Sequence, residues 1–228
     1  MKISVITLFP QMFESVFNYS IIKRAVDKQL LEISFTNIRD FGIGKHKLVD
    51  DTPYGGGSGM VLRVDVIHKA IENTKDKKLE KSEQKIILLT PHGKKFEQKK
   101  AVGLSRLKHL IILCGHYEGF DQRILKYVDE EISVGDFILT GGEIPAMLLI
   151  DSVARLTKDV IKRDSRENES FPNFLEYPHY TKPQAYKGEE VPQILLSGNH
   201  AEIKKWKKEL SYKITKKLRP DLLSKKGW

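Results

Sequence analysis

The chain has 228 residues, of which 40% are hydrophobic, so it is long enough to bury a core and too apolar for wholesale disorder. Its one cysteine, Cys114, excludes an intrachain disulfide and a cysteine-based zinc site. The first residues lack the apolar stretch of a signal peptide, and no run of about 18 apolar residues suggests a membrane span. We therefore expect a cytoplasmic protein with no membrane partner.

The formal net charge is +9 and the sequence pI is about 9.4. An excess of lysine and arginine suits a polyanionic partner, because neutralising phosphates releases counterions. A solvated, lysine-rich surface would give the same composition. Charge alone leaves both interpretations open.

Apolar runs alternate with helical periodicity over the first two-thirds of the chain, which predicts an α/β fold with a parallel sheet. Extended segments are expected at Ile3–Phe9, Leu31–Phe35, Ile86–Leu89, Leu110–Cys114, Glu131–Val134 and Phe137–Thr140. Helices are expected at Met12–Leu31, Val64–Thr74, Phe96–Leu107 and Pro145–Val160, with loops at Asn37–Gly59 and Lys75–Lys85.

The composition changes after residue 160. Ile161–Pro192 is polar, contains several prolines and lacks sustained periodicity, so we interpret it as an interdomain linker. Asn199–Glu202 resembles a capping box that opens a helix. Behind it, apolar residues repeat at helical spacing while lysines cover the other faces, which predicts a small basic helical domain over 193–228.

Common nucleotide and metal motifs are absent from the sequence. There is no G-x-x-x-x-G-K-[ST] segment and no G-x-G-x-x-G segment after a strand, which argues against a P-loop nucleotidase and an ordinary dinucleotide-binding site. No H-E-x-x-H motif is present, and the seven histidines show no metal-ligand spacing. We therefore predict no metal site.

Three loops each follow an extended apolar run, at Thr90–Lys94, at Cys114–Asp121 and at Gly135–Glu143. Ligands of parallel α/β sheets bind beyond the carboxyl ends of the strands, and glycines there let the backbone approach a ligand closely. Such backbone groups can recognise adenine packed against Ile138 and Leu139. One such loop would be read as a tight turn, but three together favour a ligand site.

A fourth glycine cluster spans Tyr54–Gly59. Its commoner meaning is a flexible linker. The alternative is a loop that admits a flat base, with Asp50, Asp51 and Tyr54 supplying polar and stacking groups beside it.

The ordered set of motifs resembles the bacterial tRNA (guanine-N1)-methyltransferases of the knotted SPOUT superfamily. The matching stretches run nearly end to end: Ile6–Pro10, Asp50–Met60, Cys114–Asp121, Gly135–Ala146, Asp151–Arg155, Pro178–Thr181 and Leu195–Glu202. The resemblance implies a trefoil-knotted parallel-sheet domain over 1–160 that binds S-adenosylmethionine, followed by the linker and the small helical C-terminal domain. It also implies a homodimer with shared active sites that methylates N1 of guanosine 37 of tRNA, immediately 3′ of the anticodon.

The resemblance also implies site residues. The donor would be bound by Leu89, Thr90, Pro91, Gly115, Tyr117, Glu118, Ser133, Val134, Gly135, Asp136, Phe137, Ile138, Leu139, Thr140, Gly141, Gly142 and Pro145. The target guanosine would contact Asp50, Tyr54, Gly57, Ser58 and Gly59. Glu118, and Glu176 of the partner subunit, would face the positively charged donor. Mg²⁺ stays open as a second cofactor, although the sequence shows no site for it.

The expected chemistry needs two catalytic side chains. A carboxylate must remove the proton of guanine N1, and a guanidinium would stabilise the negative charge that grows on O6. By resemblance the guanidinium is Arg155, although a helix-surface arginine is the simpler interpretation. The family usually has Asp-Ser-Phe where this chain has Glu169-Ser170-Phe171, so Glu169 is the first choice of base and Asp164 the second.

Other positions also depart from the family. Thr52 and His116 stand where arginine is common, and Ser58 stands where proline is frequent. Each loss of arginine weakens a candidate RNA or loop contact without removing the donor pocket. Two alternatives remain at this point: a knotted methyltransferase that acts on another RNA base or on a ribose 2′-OH, and a non-catalytic RNA-binding module.

Overall fold

A computed structural model describes residues 1–161, 169–171 and 174–224. These residues cluster into two compact units, Met1–Ile161 and Lys162–Trp228. The strands are β1 (Lys2–Thr7), β2 (Glu32–Asn37), β3 (Asp50–Asp51), β4 (Val61–Leu62), β5 (Gln84–Lys95), β6 (His109–Leu113), β7 (Glu130–Ser133), β8 (Ala185–Tyr186) and β9 (Glu189–Glu190). The α-helices are α1 (Glu14–Phe17), α2 (Ser20–Asp27), α3 (Val64–Thr74), α4 (Gln98–Leu104), α5 (Glu143–Ala154), α6 (His200–Leu218) and α7 (Asp221–Ser224).

The first unit is built on a five-stranded sheet in the order β2-β1-β6-β5-β7. All four neighbouring pairs are parallel, as the uninterrupted apolar runs predicted. Side chains alternate between the two faces: Leu110 and Ile112 belong to one core cluster, and Ile111 and Leu113 to the other. The α/β class of the fold is therefore confirmed.

Helices cover both faces of this sheet. Helix α3 buries Val66, Ile67, Ala70 and Ile71 against one face. Apolar residues of α1, α2, α4 and α5 belong to the core cluster on the other face. Short 3-10 helices at Pro10–Phe13, Ile38–Phe41 and Gln122–Tyr127 complete the layers. This arrangement leaves the carboxyl edge of the sheet to the loops.

Three expected elements differ in the structure. Met12–Leu31 is not one helix, because Tyr19 is extended and Ser20 has a positive φ of 56°, which separates α1 from α2. Phe137–Thr140 forms no strand, because the chain has left the sheet at Ser133 and turns at Gly135. Helix α5 ends at Ala154 rather than at Val160, and Pro145 lies in its first turn as expected.

The second unit is organised around α6. Asn199 caps this helix, because its side chain accepts a hydrogen bond from the Glu202 N–H at 3.3 Å. The Leu175 N–H donates to Thr215 Oγ1 at 2.8 Å, and Phe174 and Tyr212 meet edge to face. Strands β8 and β9 form a hairpin. The segment expected as a linker thus packs in part on α6, and its role as a linker stays a prediction.

Candidate active site

Three loops meet at the carboxyl edge of the sheet and enclose a cleft of about 360 Å³. They follow β6, β7 and the regular part of β5, which is the edge at which open parallel sheets bind ligands. Strand β5 is irregular between Leu89 and Lys94, and its register against β7 shifts there. The shift directs Thr90, Pro91 and His92 into the lining of the cleft.

The loops approach one another closely through backbone atoms. The Gly142 N–H donates to the Gly115 carbonyl at 2.8 Å. A Cβ atom at Gly142 would lie 2.6 Å from Cys114 Cα, closer than real Cβ contacts allow. This position therefore requires glycine because the loop after β7 lies directly on the loop after β6.

The structure brings together nearly all of the expected donor-binding residues. All of them except Asp136 line the cleft. The Asp136 side chain is mostly exposed and pairs with Lys95 at 2.8 Å. That these residues bind the donor stays a prediction.

Other lining residues were not expected from the sequence. Ile124 and Leu125 belong to the 3-10 helix that follows Asp121, and Leu88 and Ile132 belong to the flanking strands. An apolar pair directly after a glycine loop is a usable signal for such positions. His116 and Phe120, which belong to the expected ligand-binding loop Cys114–Asp121, also line the cleft.

The expected guanosine-binding residues lie on a loop between β3 and β4, two short strands that pair in antiparallel fashion. Tyr54 is fully exposed, and Gly57, Ser58 and Gly59 are also exposed. Half-buried Asp50 lies in β3. The structure thus gathers these residues on one surface loop, and their contact with a nucleotide stays a prediction.

This loop is attached to the cleft through its backbone. The Glu118 N–H donates to the Met60 carbonyl at 3.0 Å, and the Leu62 N–H donates to the Gly119 carbonyl at 2.9 Å. The Asp121 N–H donates to the Leu62 carbonyl at 3.0 Å. The loop after β6 and the segment that follows the glycine cluster therefore form one backbone ladder.

Two arginines, Arg63 and Arg123, flank this ladder and pair with aspartates. Arg63 pairs with Asp65 at 3.1 Å and with Asp51 at 2.9 Å, and its hydrogen bond is the main cause that lowers the pKa of Asp65. Arg123 pairs with Asp121 and lowers the pKa of that carboxyl in the same way. Both aspartates therefore keep their negative charge near neutral pH.

The two expected catalytic residues belong to different units. Arg155 is the C-terminal cap of α5, and its N–H donates to the Asp151 carbonyl at 3.2 Å. Glu169 is in the second unit, where the neighbouring Ser170 Oγ accepts a hydrogen bond from the Glu176 N–H at 3.0 Å. Asp164 lies outside the described residues. Glu176, the other expected acidic group, pairs with His179 at 2.7 Å.

The described residues contain no group of three or more histidine, cysteine, aspartate or glutamate side chains that could hold a metal ion. Within the same part of the chain, no helix has the length and apolar character needed to cross a membrane. Mg²⁺ thus has no assigned ligands here.

Residues 1–225 match the family model described as tRNA (Guanine-1)-methyltransferase TrmD. A Clostridium botulinum (strain 657 / Type Ba4) protein named tRNA (guanine-N(1)-)-methyltransferase is 53% identical over 227 residues, which cover 99% of this chain and 92% of that protein. A Metamycoplasma arthritidis protein of the same name is 51% identical over 228 residues, which cover 99% of this chain and 97% of that protein. A third, from Clostridium novyi, is 52% identical over 224 residues, covering 97% and 91%.

Proposed function

This chain belongs to the tRNA (guanine-1)-methyltransferase family, and we propose that it transfers a methyl group from S-adenosylmethionine to N1 of guanosine 37 of tRNA. The observation that carries the proposal beyond family membership is the cleft at the carboxyl edge of the parallel sheet, lined by three strand-end loops. The fold class is that of the knotted methyltransferases, with a small helical C-terminal unit.

The cleft suits an adenosine-containing sulfonium compound. Its volume of about 360 Å³ lies in the range of small-molecule sites. Ile138 and Leu139 offer apolar surface for a base, and the glycines expose backbone N–H and C=O groups that can read its edge. The Glu118 carboxylate, which also lines the cleft, would attract the positive charge of the donor.

When bound, S-adenosylmethionine supplies a methyl group on a sulfonium, which leaves without a covalent enzyme intermediate. The protein then has to align the guanine, remove the N1 proton and stabilise the charge on O6. We assign proton removal to Glu169 and charge stabilisation to Arg155. Tyr54, fully exposed on its loop, is available to stack on a base.

Helix α5 supports an active site shared between two copies of the chain. Gly142 and Pro145, at its N-terminal end, line the cleft, whereas Arg155 caps its C-terminal end. A helix of 12 residues is about 18 Å long, which places the Arg155 backbone far from the cleft of its own chain. We therefore propose that Arg155 serves the cleft of a partner subunit in a homodimer.

The outer face of α5 supports the same dimer. Ile144 is 51% exposed and Leu148 is 46% exposed. These two apolar residues are four positions apart, so they lie on the same face of the helix. Phe137 and Ile138 add exposed apolar surface in the preceding loop. A second copy of the chain would cover this surface through a self-complementary, two-fold contact.

The positive charge of α6 supports the proposal that the partner is an RNA. This helix carries exposed lysines on several faces: Lys204, Lys205, Lys208, Lys213, Lys216 and Lys217. Lysines on a rigid helix can neutralise successive phosphates. Binding of tRNA should therefore weaken as the salt concentration rises.

The function is tested by methylation of tRNA transcripts, followed by nuclease digestion and mass spectrometry of the nucleosides. We expect 1-methylguanosine from a transcript with guanosine at position 37 and none from the matched transcript with adenosine there. Undiminished methylation of the second transcript would contradict the N1-guanine assignment. A 2′-O-methylated nucleoside would indicate the alternative knotted methyltransferase. Absence of S-adenosylmethionine binding in calorimetry would favour a non-catalytic RNA-binding module.

A further inference from the structure

Three polar side chains, Thr7, His116 and Glu143, meet beneath the loop that follows β7. We refer to them as the polar cluster. The Thr7 hydroxyl donates to Glu143 Oε1 at 2.6 Å, and the other carboxylate oxygen, Oε2, lies 3.2 Å from His116 Nε2. The Glu143 side chain is 1% exposed and the His116 side chain 21%. The cluster thus joins the end of β1, the loop after β6 and the start of α5.

A carboxylate as buried as Glu143 needs electrostatic compensation. The hydroxyl of Thr7 and the N-terminal end of α5 provide part of it through neutral dipoles. His116 provides a full positive charge, but only while its ring is protonated. Burial, and secondarily the negative charge of Glu143, raise the pKa of the nearby Cys114 thiol well above its usual range.

The cluster supports the cleft directly. A Cβ atom at Gly141 would lie 2.5 Å from both His116 Nε2 and Glu143 Oε2, so this loop residue rests on the ion pair itself. The next residue, Gly142, donates its N–H to the Gly115 carbonyl beside His116. Gly115, His116, Gly141 and Gly142 all line the cleft. The pair therefore sets how closely the loops after β6 and β7 approach.

We propose that His116 and Glu143 form a positioning ion pair that makes the affinity for the methyl donor depend on pH, with the tightest binding when His116 is protonated. The inference rests on the proposed function, because it assigns S-adenosylmethionine to this cleft. Loss of the imidazole proton leaves the buried carboxylate without a cationic partner. The contact beneath Gly141 then weakens, and the two loops bind the donor less tightly.

Other ionisable groups lie close to His116 in the structure or in the sequence. The Tyr117 ring meets the His116 ring edge-on, with 5.9 Å between the ring centroids. The Cys114 thiol stays protonated because its pKa is raised. Glu118, two residues further on, carries a carboxyl group. Phe9, which meets the His116 ring at 4.8 Å, carries no charge.

The test is calorimetric titration of the full chain with S-adenosylmethionine between about pH 5 and pH 8, the range in which an ordinary imidazole changes charge. For the unaltered protein we expect the affinity to fall about fivefold or more as the pH rises. His116→Arg, with a permanent charge, should bind tightly with a flatter profile. His116→Asn should bind weakly throughout. Any titration of the donor's own amino group affects all three proteins equally, so the difference between profiles is the signal.

Parallel profiles of donor affinity against pH for the unaltered protein and His116→Arg would overturn the proposal. Tight binding of the donor by His116→Asn would also overturn it. Thr7→Val removes the hydroxyl and keeps the ion pair, so it should weaken binding while the pH dependence remains. If His116→Asn fails to fold, as judged by thermal unfolding, the comparison of the unaltered protein with His116→Arg still tests the proposal. No binding by any of the proteins at any pH would instead contradict the proposed function.

Discussion

His109 is a completely buried imidazole at the start of β6. Its Nε2 atom lies 2.8 Å from Ser4 Oγ, and its Nδ1 atom has no hydrogen-bond partner among the described residues. Burial is the main cause that lowers the pKa of this ring, and the positive charge of Lys2 adds to it. The folded protein therefore resists protonation of His109, whereas the unfolded chain does not.

The protein should consequently lose stability in mild acid. Because the pKa of His109 is lower in the folded state, its contribution is present in full above the unfolded value of about 6.5 and is lost as the pH falls from that value through the lower folded-state pKa. His109→Gln, which keeps a polar atom near Ser4, should flatten the pH dependence of the free energy of unfolding measured with urea. His46→Gln, at an exposed loop position, is the control and should leave that dependence unchanged. A slope that His109→Gln does not alter would contradict this account.

The catalytic base is the second prediction at the scale of single residues. Glu169→Gln keeps the shape of the side chain and removes its ability to accept a proton, so methyl transfer should fall by about 10²- to 10⁴-fold while donor binding is unchanged. Single-turnover methylation and donor calorimetry measure the two quantities. Asp164→Asn is the matched variant and should keep most of the activity. The reverse result would identify Asp164 as the base.

The sequence predicted much of the cleft lining, because glycine-rich loops after apolar runs indicate a ligand-binding edge. It missed Ile124 and Leu125, whose position depends on a 3-10 helix with no clear periodicity. Asp136 was expected in the cleft but pairs with Lys95. Such a preference between solvent, lysine and ligand depends on tertiary geometry that neighbouring residues in the sequence do not encode.

Glycine has opposite consequences in two elements of the fold. At Gly142, before α5, an added Cβ would meet the backbone of Cys114 and Gly115, which cannot move as a flexible side chain does. At Gly103, within α4, an added Cβ would meet nothing within 4 Å. One glycine is required by a close approach, and the other leaves a helix without the stabilisation that alanine provides.

Alanine substitutions at these positions should therefore have opposite signs. Gly142→Ala should lower the free energy of unfolding by about 1–3 kcal/mol and weaken donor binding, because the two loops are forced apart. Gly103→Ala should raise the free energy of unfolding by up to about 1 kcal/mol without affecting donor binding. Urea unfolding and donor calorimetry check both. Equal effects at the two positions would refute the argument from packing.

At the level of elements, helical periodicity of apolar residues predicted where helices lie, but it did not reveal where a helix is interrupted. Helix α3 spans Val64–Thr74 as expected, because its apolar residues recur at helical spacing and all face the sheet. The segment Met12–Leu31 also shows helical spacing, yet it breaks at Tyr19 and Ser20. No glycine or proline marks that break. The positive φ of Ser20 is a local distortion that periodicity does not reveal.

For the whole molecule, the exposed apolar face of α5 predicts that the proposed homodimer depends on Leu148. Leu148→Asp places a charge on that face and should shift sedimentation toward the monomer, with loss of methyl transfer, because Arg155 would no longer reach a partner's cleft. Leu48→Asp is the matched control, since Leu48 is 55% exposed in a loop of the same unit. A dimer that persists in Leu148→Asp would place the interface elsewhere.

The α/β architecture could be predicted from apolar runs and their spacing, but the knot could not. Threading of a chain is a property of its whole path, and connections in most folds do not thread through one another. Only the resemblance to a known family supplied that expectation. The change of composition after residue 160 coincides with the division into two compact units at residue 161, but the sequence does not reveal that the polar segment after it packs partly on α6.

The backbone ladder between Met60–Leu62 and Glu118–Asp121 would link the two proposed binding events thermodynamically. A ligand that holds the loop after β6 in place also restricts the start of β4, and so reduces the conformational entropy that remains to be lost at Tyr54–Gly59. Any gain in tRNA affinity produced by the donor must be matched by an equal gain in donor affinity produced by tRNA. We therefore expect these three backbone hydrogen bonds to let each proposed ligand favour the binding of the other.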